Sequence, residues 1–420
     1  MQKLVITGPN RLHGEVKVGG SKNAVLPMMA AALLANAPIT LYNVPSISDV
    51  EVMASILELF NVKVGRQANT LTLDGSSAQA ASVDPTLAGK MRASILVLGP
   101  AVARFGQAET VPPGGDVIGV RPLDRHLHAL SSMGVKVVEA KDRVKLIGKP
   151  RAARVIMGDL SVTPTENAIL AAVLAPGKTE VRMAAMEPHI VGLCNFLNSL
   201  GAKISNIDTH NLQIEGVEIL HGGEGTVIPD QLEAGTLAIA AAASQGEVKI
   251  DGFVQDDHDA LLNVFIEMNV NFEILSPTEI RICPSDKLKS TKVKTQPYPN
   301  LPTDLQAPLA VLMTQATGQS EIFETMYEGR LSYLYELQRM GADISLKDTH
   351  VGLIKGPTKL HGTDLVSFDI RAGATILVAA LIAEGKTTID RVEHIDRGYE
   401  YLDKRFGSLG AKIERIDNGQ

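Results

Sequence analysis

One short pattern recurs six times along the chain and constrains its fold more than any other feature. A Leu- or Met-containing helix end, then Gly or Asn, then a strand start reads LFNVKV, SMGVKV, SLGAKI, EMNVNF, RMGADI and SLGAKI. The Gly or Asn stands at Asn61, Gly134, Gly201, Asn269, Gly341 and Gly410, at intervals of 73, 67, 68, 72 and 69 residues. These two residue types enter a left-handed helix C-cap at little cost, so each marks a helix ending and a strand beginning. Upstream of each cap runs an Ala/Leu-rich helical stretch, a turn, a short β-like run such as ITLYNV, TEVRMA or EVKIDG, and a second helix. A unit of about 70 residues built this way has too little core to stand alone. The expected architecture is α/β, with six such units grouped three and three and the division falling near HGGEGTVIPD. That places residues 21–229 in a first domain and residues 230–420 in a second, which the opening strands KLVITG and EVKVGG of residues 1–20 are expected to close.

Composition narrows the function. The 420 residues are 45% hydrophobic and 21% charged, as in soluble globular proteins of two or three domains. A net charge of −7, no Trp and 4% aromatic residues argue against a nucleic-acid partner, which needs phosphate-neutralising charge and stacking platforms. The start, MQKLVITGPN, lacks a basic segment followed by an apolar one, and no apolar run reaches the ~20 residues of a membrane span. A cytoplasmic protein is expected. Cys194 and Cys283 stand far apart and suggest neither a disulfide framework nor a metal cluster.

Because the units repeat, their positions can be compared within the one chain, and two offsets are unexpectedly polar. The first, 37 to 42 residues before the cap, holds Lys22, Arg92, Thr163, Asp230, Asp304 and Arg371, each at the start of an apolar helix. Helix N-termini attract anions, so a cation there opposes the dipole unless an anion sits beside it; Lys22, Arg92 and Arg371 therefore suggest an anionic ligand. Thr303 with Gln306 has the spacing of a capping box. The second offset, 11 to 14 residues before the cap, carries Asp49, Arg121, Glu187 with His189, Asp257 with His258, Arg330 and Arg397. Arginine at three equivalent positions suits a small, highly charged anion through its bidentate fork. The second unit is also longer by about four residues, which fall at PPGGD and read as a mobile loop with Asp116 at its tip.

Each feature has a plainer reading. A surface arginine is usually a solvated charge, Asp116 in a Gly-rich loop can be a turn former, and Asp304 can be the first-turn acid of a capped helix. Glu187, His189 and His258 lack the paired spacing of metal ligands and read as surface residues. VGGSKN is not a nucleotide-hydrolysing P-loop, since the G-x-x-x-x-G-K-[ST] pattern is missing.

GGSKNAVLP at 19–27, MRASILVLGP at 91–100, PPGGDVIGVRPLD at 112–124, LPTDLQAP at 301–308 and HIDRGYEYL at 394–402 together resemble the enolpyruvyl transferases, in the branch that acts on UDP-N-acetylglucosamine. The resemblance spans the whole chain. It implies a two-domain inside-out α/β barrel with the active site in the cleft between the domains, and the first committed step of peptidoglycan precursor synthesis. The shikimate-phosphate branch fits less well, because its first block usually reads Lys-Ser where this chain has Lys22-Asn23 and it lacks the LPTDLQAP form.

Carried over residue by residue, the resemblance implies that Lys22, Arg121 and Arg397 surround the phosphate of phosphoenolpyruvate, with Arg92, Arg330 and Arg371 near its carboxylate or supporting it. Asn23 and Asp304 would face the sugar. Arg121, Pro122, Leu123 and Asp124, with Ser161, Val162 and Thr163, would contact the uridine diphosphate, and Met326 would be a further substrate-binding residue. No metal and no cofactor is implied, and the oligomeric state is left open. Many members have cysteine where this chain has Asp116, so the resemblance implies insensitivity to fosfomycin, which alkylates that thiol.

The implied reaction is addition followed by elimination through a tetrahedral ketal. Asp304 is the expected base for the sugar 3′-hydroxyl, with Asp116, Lys22 and Arg397 completing the catalytic set. An aspartic acid in water is almost wholly ionised at neutral pH whereas a cysteine is mostly protonated, so an acid role for Asp116 requires loop closure to desolvate it. Transfer to another acceptor, or a silent scaffold that binds a sugar nucleotide, are the alternatives.

Overall fold

At the six caps the backbone does what the sequence pattern demands: φ is +61° at Asn61, +83° at Gly134, +100° at Gly201, +62° at Asn269, +96° at Gly341 and +93° at Gly410. In this computed structural model, which describes residues 2–116, 118, 119 and 122–417, each cap ends an outer helix and feeds a strand.

Among the described residues six small sheets result, one per repeat, and the chain divides into two larger units with three sheets each. One unit comprises Gly20–Gly115 and Arg121–Ile228; the other comprises Met1–Gly19, Asp116–Val120 and Pro229–Gln420.

Six helices run inside these sheets: Lys22–Ala30, Leu98–Phe105 and Val162–Ala172 in the first unit, Gln231–Ala243, Thr303–Thr314 and Ile370–Ile382 in the second. They are apolar almost all round, and a helix of that kind must be buried on every side. Ile370–Ile382 is buried from Ile370 to Leu381, and Gln231–Ala243 from Leu232 to Ala243. The strands around them alternate, as in Asn211–Glu215, where Leu212 and Ile214 face inward. Helices within and sheets without define an inside-out α/β barrel, and each unit has its own apolar core.

The chain start completes the second unit. Gln2–Gly8 lies between Gly385–Asp390 and Ile413–Asp417, antiparallel to both, as the middle strand the last sheet would otherwise lack. His13–Lys17 runs parallel to Glu247–Asp251, while Gly223–Thr226 runs parallel to Ile39–Tyr42 in the first unit.

Two sequence expectations are corrected. The capping box at Thr303 and Gln306 does not form: Pro302 occupies the N-cap, the Thr303 hydroxyl donates to Glu324 Oε2 at 2.7 Å, and Gln306 Oε1 accepts from the Tyr333 hydroxyl at 2.7 Å. Tertiary partners outcompete the local motif. Nor are His189 and His258 surface residues. His258 is buried, stacked on Phe253, with its ring nitrogens 2.7 Å from the Val254 carbonyl and 3.0 Å from that of Gln231. Burial lowers its affinity for a proton. Among the described residues no group of His, Cys, Asp and Glu could hold a metal ion. Cys194 is buried, and its thiol is pushed up to about 12 by desolvation, which makes it inert.

Candidate active site

The first set of polar positions singled out by the repeat sits at, or just ahead of, the starts of the inner helices. Lys22 is the first residue of its helix, and Ser21 at the N-cap accepts a hydrogen bond from the Ala24 N–H at 3.3 Å. The Lys22 ammonium would oppose the helix dipole, and Asp49, from the outer helix Ser48–Leu59, answers it: Nζ lies 3.3 Å from Asp49 Oδ2, with both groups largely buried. Asn23 follows on the same tip and is partly exposed. Thus one sequence-level conflict is met inside the protein, by a carboxylate from the second polar offset.

In the same unit Arg92 opens the short helix Arg92–Val97 and donates from Nη2 to the Pro122 carbonyl at 2.9 Å. The loop ahead of it is pinned. Gly114 N–H donates to the Ala88 carbonyl at 2.9 Å, and a Cβ at Gly114 would lie 1.8 Å from the Gly89 oxygen, so no other residue fits. Asp124 starts the helix Asp124–Ser132, with Leu123 at its N-cap, and Ser161 is the N-cap of Val162–Ala172. These two tips are joined by His126, a residue that no repeat offset or motif marks. Asn167 donates to His126 Nδ1 at 3.0 Å, which leaves Nε2 as the ring's donor, 3.3 Å from the Thr163 hydroxyl. Arg121 and part of the 112–121 loop lie outside the described residues.

The other unit holds the remaining set. Asp304, in the first turn of Thr303–Thr314, is clasped by two buried arginines: Arg330 Nη2 bonds Oδ1, and Arg371 Nε lies 3.0 Å from Oδ2. Arg330 and Arg371 side chains are 3% and 4% exposed, against 25% for Asp304. Burial pulls the Arg330 proton affinity down, but the carboxylates of Asp304 and Asp369 outweigh it and the net shift is upward. Arg371 is raised as well, against burial, by Tyr399, whose ring it overlies at 4.9 Å, and by Asp304. Both stay cationic. Asp369 caps the Ile370–Ile382 helix, its Oδ1 accepting from the Arg371 and Ala372 N–H groups at 2.7 Å each.

Asp116 also has a cationic partner in this unit. Its Oδ1 lies 2.7 Å from Arg397 Nη1, with side chains 13% and 15% exposed. Asp116 is therefore engaged through its side chain and is no mere turn former. Met326, 37% exposed, lies in the turn before Arg330.

The fold and these clusters define a class, and sequence comparison agrees. The family profile described as EPSP synthase (3-phosphoshikimate 1-carboxyvinyltransferase) matches residues 6–405, and the chain belongs to that family. Within it, the chain is 42% identical over 418 residues to the UDP-N-acetylglucosamine 1-carboxyvinyltransferase of Halothermothrix orenii, covering 99% of this chain and 100% of the relative. It is 41% identical over 424 residues to the enzyme of the same name from Desulforapulum autotrophicum, covering 99% and 100%. Among solved structures, the enolpyruvyl transferase NikO from Streptomyces tendae superposes with a TM-score of 0.89 at 26% identity over 99% of each chain. EPSP synthase from Acinetobacter baumannii shares the fold, with a TM-score of 0.76 at 17% identity over 99% and 100%.

Proposed function

We propose that this protein transfers the enolpyruvyl group of phosphoenolpyruvate to the 3′-hydroxyl of UDP-N-acetylglucosamine and releases phosphate. The observation that carries the mechanism is the charge arrangement at the helix tips: a carboxylate, Asp304, oriented by two buried guanidiniums, and a phosphate-type cation, Arg397, occupied by a loop carboxylate. Relatives bearing this activity in their names align over nearly the whole chain at 42% and 41% identity.

In this reading a proton adds to the methylene carbon of phosphoenolpyruvate. The sugar oxygen bonds to the neighbouring carbon as Asp304 takes its proton, giving the tetrahedral ketal. Loss of a proton from the new methyl group and cleavage of the carbon–oxygen bond to phosphate complete the transfer. Lys22, Arg121 and Arg397 hold the phosphate as its charge develops, which is electrostatic stabilisation of the leaving group. Incoming phosphate displaces Asp116 from Arg397, and the freed carboxyl group then serves proton transfer. Asn23 faces the sugar, and Pro122, Leu123, Asp124, Ser161, Val162, Thr163 and Met326 bind the remainder of the nucleotide sugar. Arg92, Arg330 and Arg371 serve the phosphoenolpyruvate carboxylate or orient the groups around it.

The test is phosphate release from phosphoenolpyruvate with and without UDP-N-acetylglucosamine. Release dependent on that acceptor is expected; release only with a different acceptor would move the reading to another branch of the family, and none with any acceptor would end it. Because Asp116 offers no thiol, turnover is expected to persist in fosfomycin.

A further inference from the structure

Glu324 is buried completely, stands outside the residue set assigned above, and has every hydrogen bond its carboxylate makes directed at that set's supports. It follows the strand Gly318–Phe323 and is fixed from both sides by His350: its N–H donates to the His350 carbonyl at 2.8 Å, and its own carbonyl lies 2.7 Å from His350 Nδ1. The side chain then gathers three separate segments. Oε2 accepts from the Thr303 hydroxyl at 2.7 Å. Oε1 accepts from the Thr295 hydroxyl at 3.0 Å and from the Met326 and Tyr327 N–H groups at 2.6 and 3.3 Å. All four partners donate, which is the pattern an acceptor-only carboxylate satisfies.

The placement of those donors carries the argument. Thr303 is the residue before Asp304, at a helix start that has no side-chain cap of its own. The turn that supplies the Met326 and Tyr327 N–H groups runs on to Arg330, which bonds Asp304. The same turn meets the loop: Gly329 N–H donates at 3.1 Å to the carbonyl of Ile118, two residues beyond Asp116. A buried carboxylate is costly, and here its cost secures the spacing between Asp304 and the Met326–Arg330 turn.

We infer that Glu324 is a positioning residue for the acceptor sugar nucleotide, setting where Asp304 and Met326 stand relative to each other. The inference rests on the function proposed above and extends it. Lys22 and Arg397, the cations read as holding the phosphate, receive none of the Glu324 hydrogen bonds, and Arg330, in the turn that Glu324 holds, acts here by orienting Asp304, with which it is paired. The consequence is therefore selective: weakening this node misplaces acceptor contacts and leaves the phosphate contacts in place.

Two variants test it, each removing little volume. Thr303→Val deletes one donor, and Glu324→Gln keeps the shape but turns one acceptor into a donor. In steady-state phosphate release, each is expected to raise KM for UDP-N-acetylglucosamine roughly tenfold, a difference of about 1.4 kcal/mol, and to lower kcat, with KM for phosphoenolpyruvate held within about twofold. Calorimetric titration with UDP-N-acetylglucosamine alone is expected to show the same loss of affinity. Unchanged Michaelis constants, or both rising together, would overturn the inference and leave Glu324 a structural residue. If Glu324→Gln does not fold, Thr303→Val decides alone. Wild-type protein that releases no phosphate with this acceptor would instead remove the functional reading, and the inference with it.

Discussion

Asp304 shows how a single side chain is oriented by groups the local sequence does not contain. Its first-turn position is visible in LPTDLQAP, but Arg330 and Arg371, which fix both of its oxygens, arrive from 26 and 67 residues away. Asp304→Asn is expected to lower kcat by about 10² to 10⁴, the range for loss of a general base, with phosphoenolpyruvate affinity changed far less; single-turnover phosphate release measures it. At Asp116 the exchange to cysteine makes a sharper prediction. Asp116→Cys introduces the thiol that fosfomycin alkylates, so inactivation by the drug and a matching mass increase are expected. The alkaline limb of the pH profile is also expected to move upward, since a thiol holds its proton to higher pH than a carboxyl group does in water. A variant that stays insensitive and keeps the parental profile would remove Asp116 from the proton-transfer step. The cations Lys22 and Arg371 at the helix tips were legible from the repeat, whereas no spacing in the chain paired them with their carboxylate partners Asp49 and Asp304.

Among the elements, the outer-helix caps were the most legible, because left-handed backbone restricts residue type strongly enough to leave a mark in sequence. Gly134 offers the cleanest check. A Cβ there meets nothing within 4 Å, so Gly134→Ala carries only the conformational penalty of φ +83°, about 1 to 2 kcal/mol. Denaturant unfolding reads that cost, and a neutral result would contradict the assignment of the cap. The failed capping box at Thr303 is the opposite case. Its spacing was correct, but hydroxyl and amide groups near a helix start have several candidate partners, and Glu324 and Tyr333 offered better ones. Likewise His189 and His258 are buried where the sequence reads as exposed, since nothing in one chain's hydropathy tells a buried histidine from a solvated one.

For the molecule as a whole, closure of the second unit depends on the first eight residues. Removing residues 1–8 strips Gly385–Asp390 and Ile413–Asp417 of their shared neighbour, and loss of a cooperative unfolding transition for that unit is expected in calorimetry. A second prediction concerns pH. Glu166, buried in the first unit with Glu187 acting on it and His189 Nε2 at 4.0 Å, is held well above the ordinary carboxylate range, first by desolvation and then by Glu187. A carboxyl group that binds its proton more tightly when folded contributes stability below its unfolded value, near ~4.3, and that contribution is lost as pH rises through the folded value. Stability is therefore expected to decline as pH rises from ~4.3 towards the folded value and to level off above it, and Glu166→Gln to flatten the decline and raise Tm on its high-pH side. Parallel Tm profiles for the two proteins would refute it.

The sequence by itself determined the repeat, its six left-handed caps, the burial of the inner helices and the presence of charge at their tips. Each of these follows from forces acting within a few residues: backbone sterics, helix periodicity and the need of an apolar helix for cover. Only the tertiary structure decided which carboxylate answers which cation, that Asp116 meets Arg397, and that Glu324 joins Thr295, Thr303 and the Met326 turn. Hydrogen bonds and ion pairs act over about 3 Å, and residues tens to hundreds of positions apart come within that distance only after the sheets and helices have packed.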